Sequence, residues 1–278
     1  MLGVILNVTL LILLCTLDIG KTAKLYIISC LITTVSSLYT SVLLLIAQDV
    51  FILINGSVAT VLYGSLLFYL PEMINDLLAI AFFTQAHTMW QMISAPTIVQ
   101  WMFLARPNSR STVTLLYAYA LPVLFYCNAL YYMRYVIPDE SFRDEMVNSI
   151  FELHGTDLKD FHIYGYRMID KNGIGFLDVM LYDAIPSYLA SYGLFTLSAL
   201  KIRSHLRAYG NVASTRTAQM QRRFFRIQIA QVFLPLVLLS PPVIIALIAT
   251  MNGVNLANAT LIVVYSLWLS PSATVNLL

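Results

Sequence analysis

Seven apolar stretches separated by polar segments leave this chain few ways to fold. They run over 2–17, 25–48, 77–105, 113–133, 180–202, 227–250 and 256–278. A helix needs about 20 apolar residues to cross a bilayer. In lipid each crossing must satisfy its own backbone hydrogen bonds, so helix is the expected form. Composition points the same way. The chain is 59% hydrophobic and 11% charged, against about 25% charged in soluble domains. The expected class is an all-α membrane protein, a seven-transmembrane helix bundle forming one domain over 1–278. Prolines at 96, 122, 186, 235, 241, 242 and 271 then read as kinks supported by neighbouring helices. The first stretch is short and lacks a basic leader, so it reads as a span rather than a signal peptide.

The apolar run 50–70 is long enough to be an eighth span. Charge argues against it, because cytoplasmic loops collect Lys and Arg. With seven spans, one side holds Lys21, Lys24, Arg106, Arg110, Lys201, Arg203, Arg207, Arg216, Arg222, Arg223 and Arg226, which is 11 of the 16 basic residues. Asp18 is the one acid among them. An eighth span would split this set. Segment 50–71 is therefore expected to be an outer loop lying partly in the membrane surface. The N-terminus is expected outside and the C-terminus inside. The largest outer loop, 134–179, holds nine acids and five bases. Asn55-Gly-Ser57 is a glycosylation acceptor pattern on the expected outer side.

Catalytic patterns are missing. The histidines at 87, 154, 162 and 205 are scattered. No metalloprotease, nucleophile-elbow or phosphate-loop pattern occurs. The expectation is no enzyme, no cofactor and no metal site. Cys15, Cys30 and Cys127 read as small buried hydrophobes. An ionisable group inside a membrane is a functional hypothesis by default. Glu72 and Asp76 at the mouth of the third span, His87 within it and Asp183 near the outer end of the fifth are the candidate ligand-cavity residues. Interfacial water for the acids, and an interhelical hydrogen bond for His87, are the plainer alternatives. Gln85, Gln91, Gln228 and Gln231 read as interhelical hydrogen-bonding residues. Tyr131, Tyr132 and Tyr135 read as an interfacial belt.

Loop 203–226 is basic without an acid. Positive-inside topology and anionic lipid account for that charge. A docking surface for a cytosolic partner, between two helices that move apart, accounts for it equally.

Four elements carry a resemblance. The longest runs Ser214-Thr-Arg-Thr217, Gln221-Arg-Arg-Phe-Phe225, Gln231, Pro235 and Pro241-Pro242. The others are Ile137-Pro-Asp-Glu140, Tyr63-Gly-Ser-Leu-Leu-Phe-Tyr-Leu70 and Ser266-Leu-Trp-Leu-Ser-Pro-Ser272. In order and spacing the chain resembles the nematode seven-span chemoreceptors, the serpentine receptor class h family above all, with classes i and d next. It departs from the family at the end of span 3, where Phe103-Leu-Ala-Arg106-Pro107 keeps the Phe and Arg and loses the acid, amide and Tyr between and after them. Trp268-Leu269 replaces a His-Gly pair. The departures imply a divergent member or a sequence missing both ends.

The resemblance implies a GPCR-like receptor for a small environmental molecule, partnered by a heterotrimeric G protein, in the plasma or ciliary membrane of sensory neurons. Arg106, Arg203, Arg207, Arg222, Arg223 and Arg226 would form the coupling face. Gln231, Pro235 and Pro241 would form a hinge in the sixth span. Three readings compete. A ligand-gated channel of the insect-receptor kind would have the opposite orientation. A small transporter would need intramembrane charge pairs or broken helices in matched halves. A non-signalling, decayed receptor would explain the altered surroundings of Arg106.

Overall fold

A computed structural model describes residues 2–16, 24–54, 57–92, 94–105, 110–154, 160–170 and 173–208, with isolated positions between 225 and 248. Apart from those isolated positions, the stretches expected as the sixth and seventh spans, and with them Gln231, Pro235 and Pro241, lie outside the described residues. So do Asn55, Arg106, Arg222 and Arg223.

Five of the apolar stretches are helical. They are α1 (Leu2–Thr16), α2 (Lys24–Ala47), the pair α3 (Glu72–Gln91) and α4 (Ser94–Ala105), α5 (Ser111–Met133), and a final run beginning with α7 (Phe176–Val179) and continuing into α8 (Ile185–Ala208). Ile27–Ala47 and Ser111–Val136 are each long and apolar enough to cross a membrane. The stretch expected as one third span is divided at Met92, whose N–H bonds Thr88 O while Ala95 N–H bonds Met92 O. Pro96 explains the division. It has no N–H, and its ring disfavours a continuous α-helical turn before it.

Helix–helix contact is apolar with polar stitches. Ala95, Ile98, Val99, Met102 and Ala118 form one buried core where α4 and α5 meet. Gln85 Nε2 on α3 donates to Ser36 Oγ at 2.7 Å and Thr40 Oγ1 at 3.1 Å on α2. Ser29 and Tyr119 hydroxyls are 2.8 Å apart, joining α2 to α5. Outward positions such as Leu116, Tyr117, Leu124 and Leu189 are large, apolar and exposed. Such a surface is covered by lipid rather than water. Cys15 and Cys127 share it and Cys30 is half-buried, which corrects the expectation that all three are buried.

Segment 50–71 is not a helical span. It forms a hairpin, β1 (Asp49–Ile54) paired antiparallel with β2 (Ser57–Leu62). Strand β2 pairs in turn with β3 (His162–Arg167) of the large loop. An Asn-Gly pair between two runs rich in β-formers, as at 55–56 of the sequence, is the strongest short-range hairpin signal. The hairpin enters through Gln48, whose φ of 43° ends α2 in the left-handed region. It leaves at Gly64, whose N–H bonds Ala47 O at 3.0 Å. A Cβ at Gly64 would fall 1.8 Å from Ile46 O, so only glycine fits.

The sheet is the middle of three layers. Leu62, Tyr164 and Tyr166 pack with Leu43, Ala47, Ala79, Phe82 and Met133 at one end of the bundle. Ile52, Ala59, Val61 and Ile163 face the other way, onto Phe142, Met146, Val147 and Ile150 of α6 (Glu140–His154). Both faces are covered, which is why β2 is buried throughout. Asp139 caps α6, its Oδ1 accepting Phe142 N–H at 2.8 Å. The Pro138-Asp139 element is thus a helix start. Arg167 lies 3.6 Å from Asp139 and 3.4 Å from Glu145, fastening α6 to the end of β3.

Candidate functional site

The four ionisable residues singled out from the sequence separate into two places. Glu72 and Asp76 belong to the first two turns of α3, beneath the sheet. Glu72 is exposed. Asp76 Oδ1 accepts the Tyr164 hydroxyl of β3 at 3.0 Å. Burial first, and the Asp76 carboxylate second, push the Tyr164 hydroxyl well above its ordinary pKa, so it stays a donor. Beside it, fully buried Asn75 approaches His162 Nε2 at 3.0 Å and donates to Leu67 O at 3.0 Å. Burial, followed by the Arg143 charge, holds His162 below its ordinary value. A neutral ring accepts the Asn75 amide hydrogen. These bonds hold the sheet onto α3.

His87 lies 11 residues further along α3, about 16 Å by helical rise, and meets Asp183 there. His87 Nε2 is 2.8 Å from Asp183 Oδ2, with the two side chains 9% and 0% exposed. Asp183 Oδ2 has no well-directed hydrogen bond, so this is a close polar contact. Oδ1 is better placed, accepting Asn128 Nδ2 of α5 at 2.6 Å. Three helical segments therefore converge on one buried carboxylate. Ser187 Oγ lies 3.5 Å from His87 Nε2, and the Tyr188 ring stands 5.6 Å from the imidazole.

Local sequence puts Asp183 there. Residues Met180–Ala184 form a π-turn between α7 and α8. Pro186 follows and lacks the N–H that would bond the carbonyl of Tyr182, four residues back. Asn128 Nδ2 approaches that carbonyl at 3.4 Å. The widened turn leaves Asp183 buried while Leu181 and Tyr182 stay exposed. π-Turns of this kind gather at functional sites.

Asn128 was missed in the sequence reading. A lone Asn among apolar residues of a membrane stretch is a usable signal, since its amide must find a partner in lipid. Of the other expected interhelical amides, Gln228 and Gln231 lie outside the described residues, and Gln91 is fully buried, yet neither of its amide atoms has a partner. Of the expected coupling residues, Arg203 and Arg207 are exposed on the last turns of α8, and Arg226 is exposed. Nearby, Lys201 Nζ stands 4.2 Å from the centre of the Trp101 ring of α4. Among the described residues no group of acids, histidines or cysteines could hold a metal ion.

The chain encloses a buried His–Asp contact below a three-stranded sheet. Comparison with known families decides its kind. Residues 99–272, more than half of the chain, match the family model of the serpentine type 7TM GPCR chemoreceptor Srh. The chain belongs to the Srh family. It is also similar to serpentine receptor class r-10 of Caenorhabditis briggsae, 24% identical over 157 residues. That match covers 52% of this chain and 44% of the relative, so it takes in less than half the relative's length. As an Srh chain the protein is a multi-pass membrane protein with the seven-helix bundle of nematode chemoreceptors. The Ile137–Glu140, 214–242 and 266–272 elements that first suggested the family fall inside the matched region.

Proposed function

We propose that this Srh chain is a chemosensory receptor that binds a small environmental molecule from the extracellular side and signals through a heterotrimeric G protein. The observation that carries this is the buried contact of His87 with Asp183, joined by Asn128. In a low-dielectric interior such a contact has a made and a broken state that differ strongly in energy. A ligand that competes for either partner favours one state, and helices α3, α5 and α8 shift with it. Glu72 and Asp76 then belong to the rim of the entry, beneath the three-stranded cap.

The coupling face in this reading comprises Arg203, Arg207 and Arg226 together with Arg106, Arg222 and Arg223. Gln231, Pro235 and Pro241 serve as the hinge that lets the fifth and sixth spans part. The receptor sits in the plasma or ciliary membrane of sensory neurons, N-terminus outside, with Asn55 as a glycosylation acceptor.

Topology is the first test. Glycan acceptor sites are introduced separately into the 134–179 and 203–226 loops. Modification of the first alone supports the receptor, and nucleotide exchange on co-expressed G proteins is then measured against a panel of odorants. Modification of the second alone inverts the chain and rejects G-protein coupling through the basic loop.

A further inference from the structure

The His87–Asp183 contact belongs to a polar seam. On α3 Thr84 lies one turn before His87, and beyond His87 the face continues through Thr88 and Gln91 to Ser94 at the start of α4, all four fully buried. On the facing run it continues from Asp183 through Ser187 to Ser191, each one helical turn apart and buried. The two strips touch, with Ser191 Oγ 3.5 Å from Gln91 O.

The ends of the seam differ. At the charged end Asp183 has His87 and Asn128, and Ser187 donates to Ala184 O at 2.9 Å. Thr88 likewise donates to Thr84 O at 2.7 Å, while Thr84 Oγ1 is buried without a partner and Asp183 Oδ2 has only its contact with His87. At the other end the Gln91 amide nitrogen, the Gln91 amide oxygen and Ser94 Oγ are buried without a hydrogen-bond partner. Gln91 is the midpoint of the apolar stretch 77–105, and Ser191 is the midpoint of 180–202. An unpaired amide is most costly there, furthest from water on either side.

We propose that Gln91 and Ser94 form a subsite for a small uncharged molecule bearing a hydrogen-bond donor and acceptor side by side, of the primary amide or lactam class. The inference rests on the receptor reading and names the ligand chemistry for it. A free side-chain amide offers an N–H and a carbonyl oxygen in one plane, and a second amide matches both at once. Ser94 Oγ adds a third contact. Charge excludes the ionised alternatives. The stretch 77–105 contains no Asp, Glu, Lys or Arg, and its one protonatable side chain, His87, is already held against Asp183, so a carboxylate would lie on the same seam as the Asp183 carboxylate without a cation of its own. An ammonium group would be drawn to Asp183, which already has His87 and Asn128. A neutral molecule also crosses lipid readily, as a site at this depth requires.

The test uses the full chain in lipid nanodiscs with three probes of one skeleton at pH 7.4: hexanamide, hexylamine and hexanoate. Variants are Gln91→Met, close in shape and apolar, and Ser94→Ala. Hexanamide is expected to bind saturably and raise the Tm. Its affinity is expected to fall at least tenfold in Gln91→Met and several-fold in Ser94→Ala, and the other two probes should show no Gln91-dependent binding. The unliganded Gln91→Met protein is expected to melt no lower than the parent, because the substitution removes an unpaired buried amide. Absence of saturable hexanamide binding overturns the subsite, as does binding that Gln91→Met leaves intact. A lower unliganded Tm or failure of that variant to fold also overturns it, by showing that the amide has a structural partner. Nucleotide exchange on added G protein is read in parallel. Gln91-dependent binding without exchange rejects the signalling reading alone, and exchange driven by other odorants without hexanamide binding rejects the subsite alone.

Discussion

Asp183 Oδ2 lies 2.8 Å from His87 Nε2, with both side chains sealed inside the bundle. Removing one partner of such a pair strands the other and costs roughly 3–5 kcal/mol, whereas replacing both by apolar groups is often neutral. His87→Leu and Asp183→Leu should each lower the Tm sharply, while the double variant should recover much of the loss. A double-mutant cycle in nanodiscs measures it, and additive losses would show that the contact carries no coupling.

Acidification should loosen the cap. The folded-state pKa of His162 is lowered from 6.5, chiefly by burial and next by Arg143. Its unfolded form therefore binds a proton first on the way down. The stability carried by neutral His162 is complete above its unfolded pKa and is lost as pH falls through the lowered folded value. The hydrogen-exchange protection factors of β2 and β3 amides, after correction for the slower intrinsic exchange in acid, should fall below about pH 6.5 in the parent. In His162→Gln, which cannot titrate, this acid step should vanish.

Gly64 and Gly165 should resist substitution for a shared reason. A Cβ at Gly165 would lie 2.2 Å from Val58 O of the neighbouring strand, and one at Gly64 lies against the last carbonyls of α2. Backbone on both sides leaves nothing flexible to give way. Either glycine changed to alanine should reduce cell-surface expression several-fold. Gly193→Ala is the control, since a Cβ there meets nothing within 4 Å.

Asp139→Ala should free the start of α6. The residue supplies the cap to Phe142 N–H, and that bond leads the causes that lower its own pKa. Loss of a cap costs about 1 kcal/mol, and Asp139 is exposed, so its Arg167 contact adds little. Proteolysis within 140–154 should accelerate while binding to the bundle persists. An unchanged cleavage rate would mean that packing of Phe142 and Met146 holds the helix alone.

The sequence by itself determined the bundle. Apolar stretches of membrane length, and basic residues gathered into alternate loops, follow from the cost of exposing backbone or charge to lipid. That cost is local and can be read one segment at a time. It also marked His87 and Asp183, because a charge in an apolar run needs a reason wherever it points. What it did not determine is who meets whom. Segment 50–71 is as apolar as a span, and only pairing of β2 with β3, drawn from a segment far along the chain, makes it the middle of a three-layer cap. Asp76 and Asp183 looked equivalent as acids near the outer ends of spans, yet Asp76 accepts a hydroxyl from the sheet while the π-turn before Pro186 delivers Asp183 to His87 and Asn128. Gln85 and Gln91 are the same residue on the same helix, and only the packing gives one three oxygen partners on α2 and the other none. Partition into lipid is a property of each segment, but register, turn geometry and hydrogen-bond partnership are properties of pairs of segments, and tertiary structure alone fixes them.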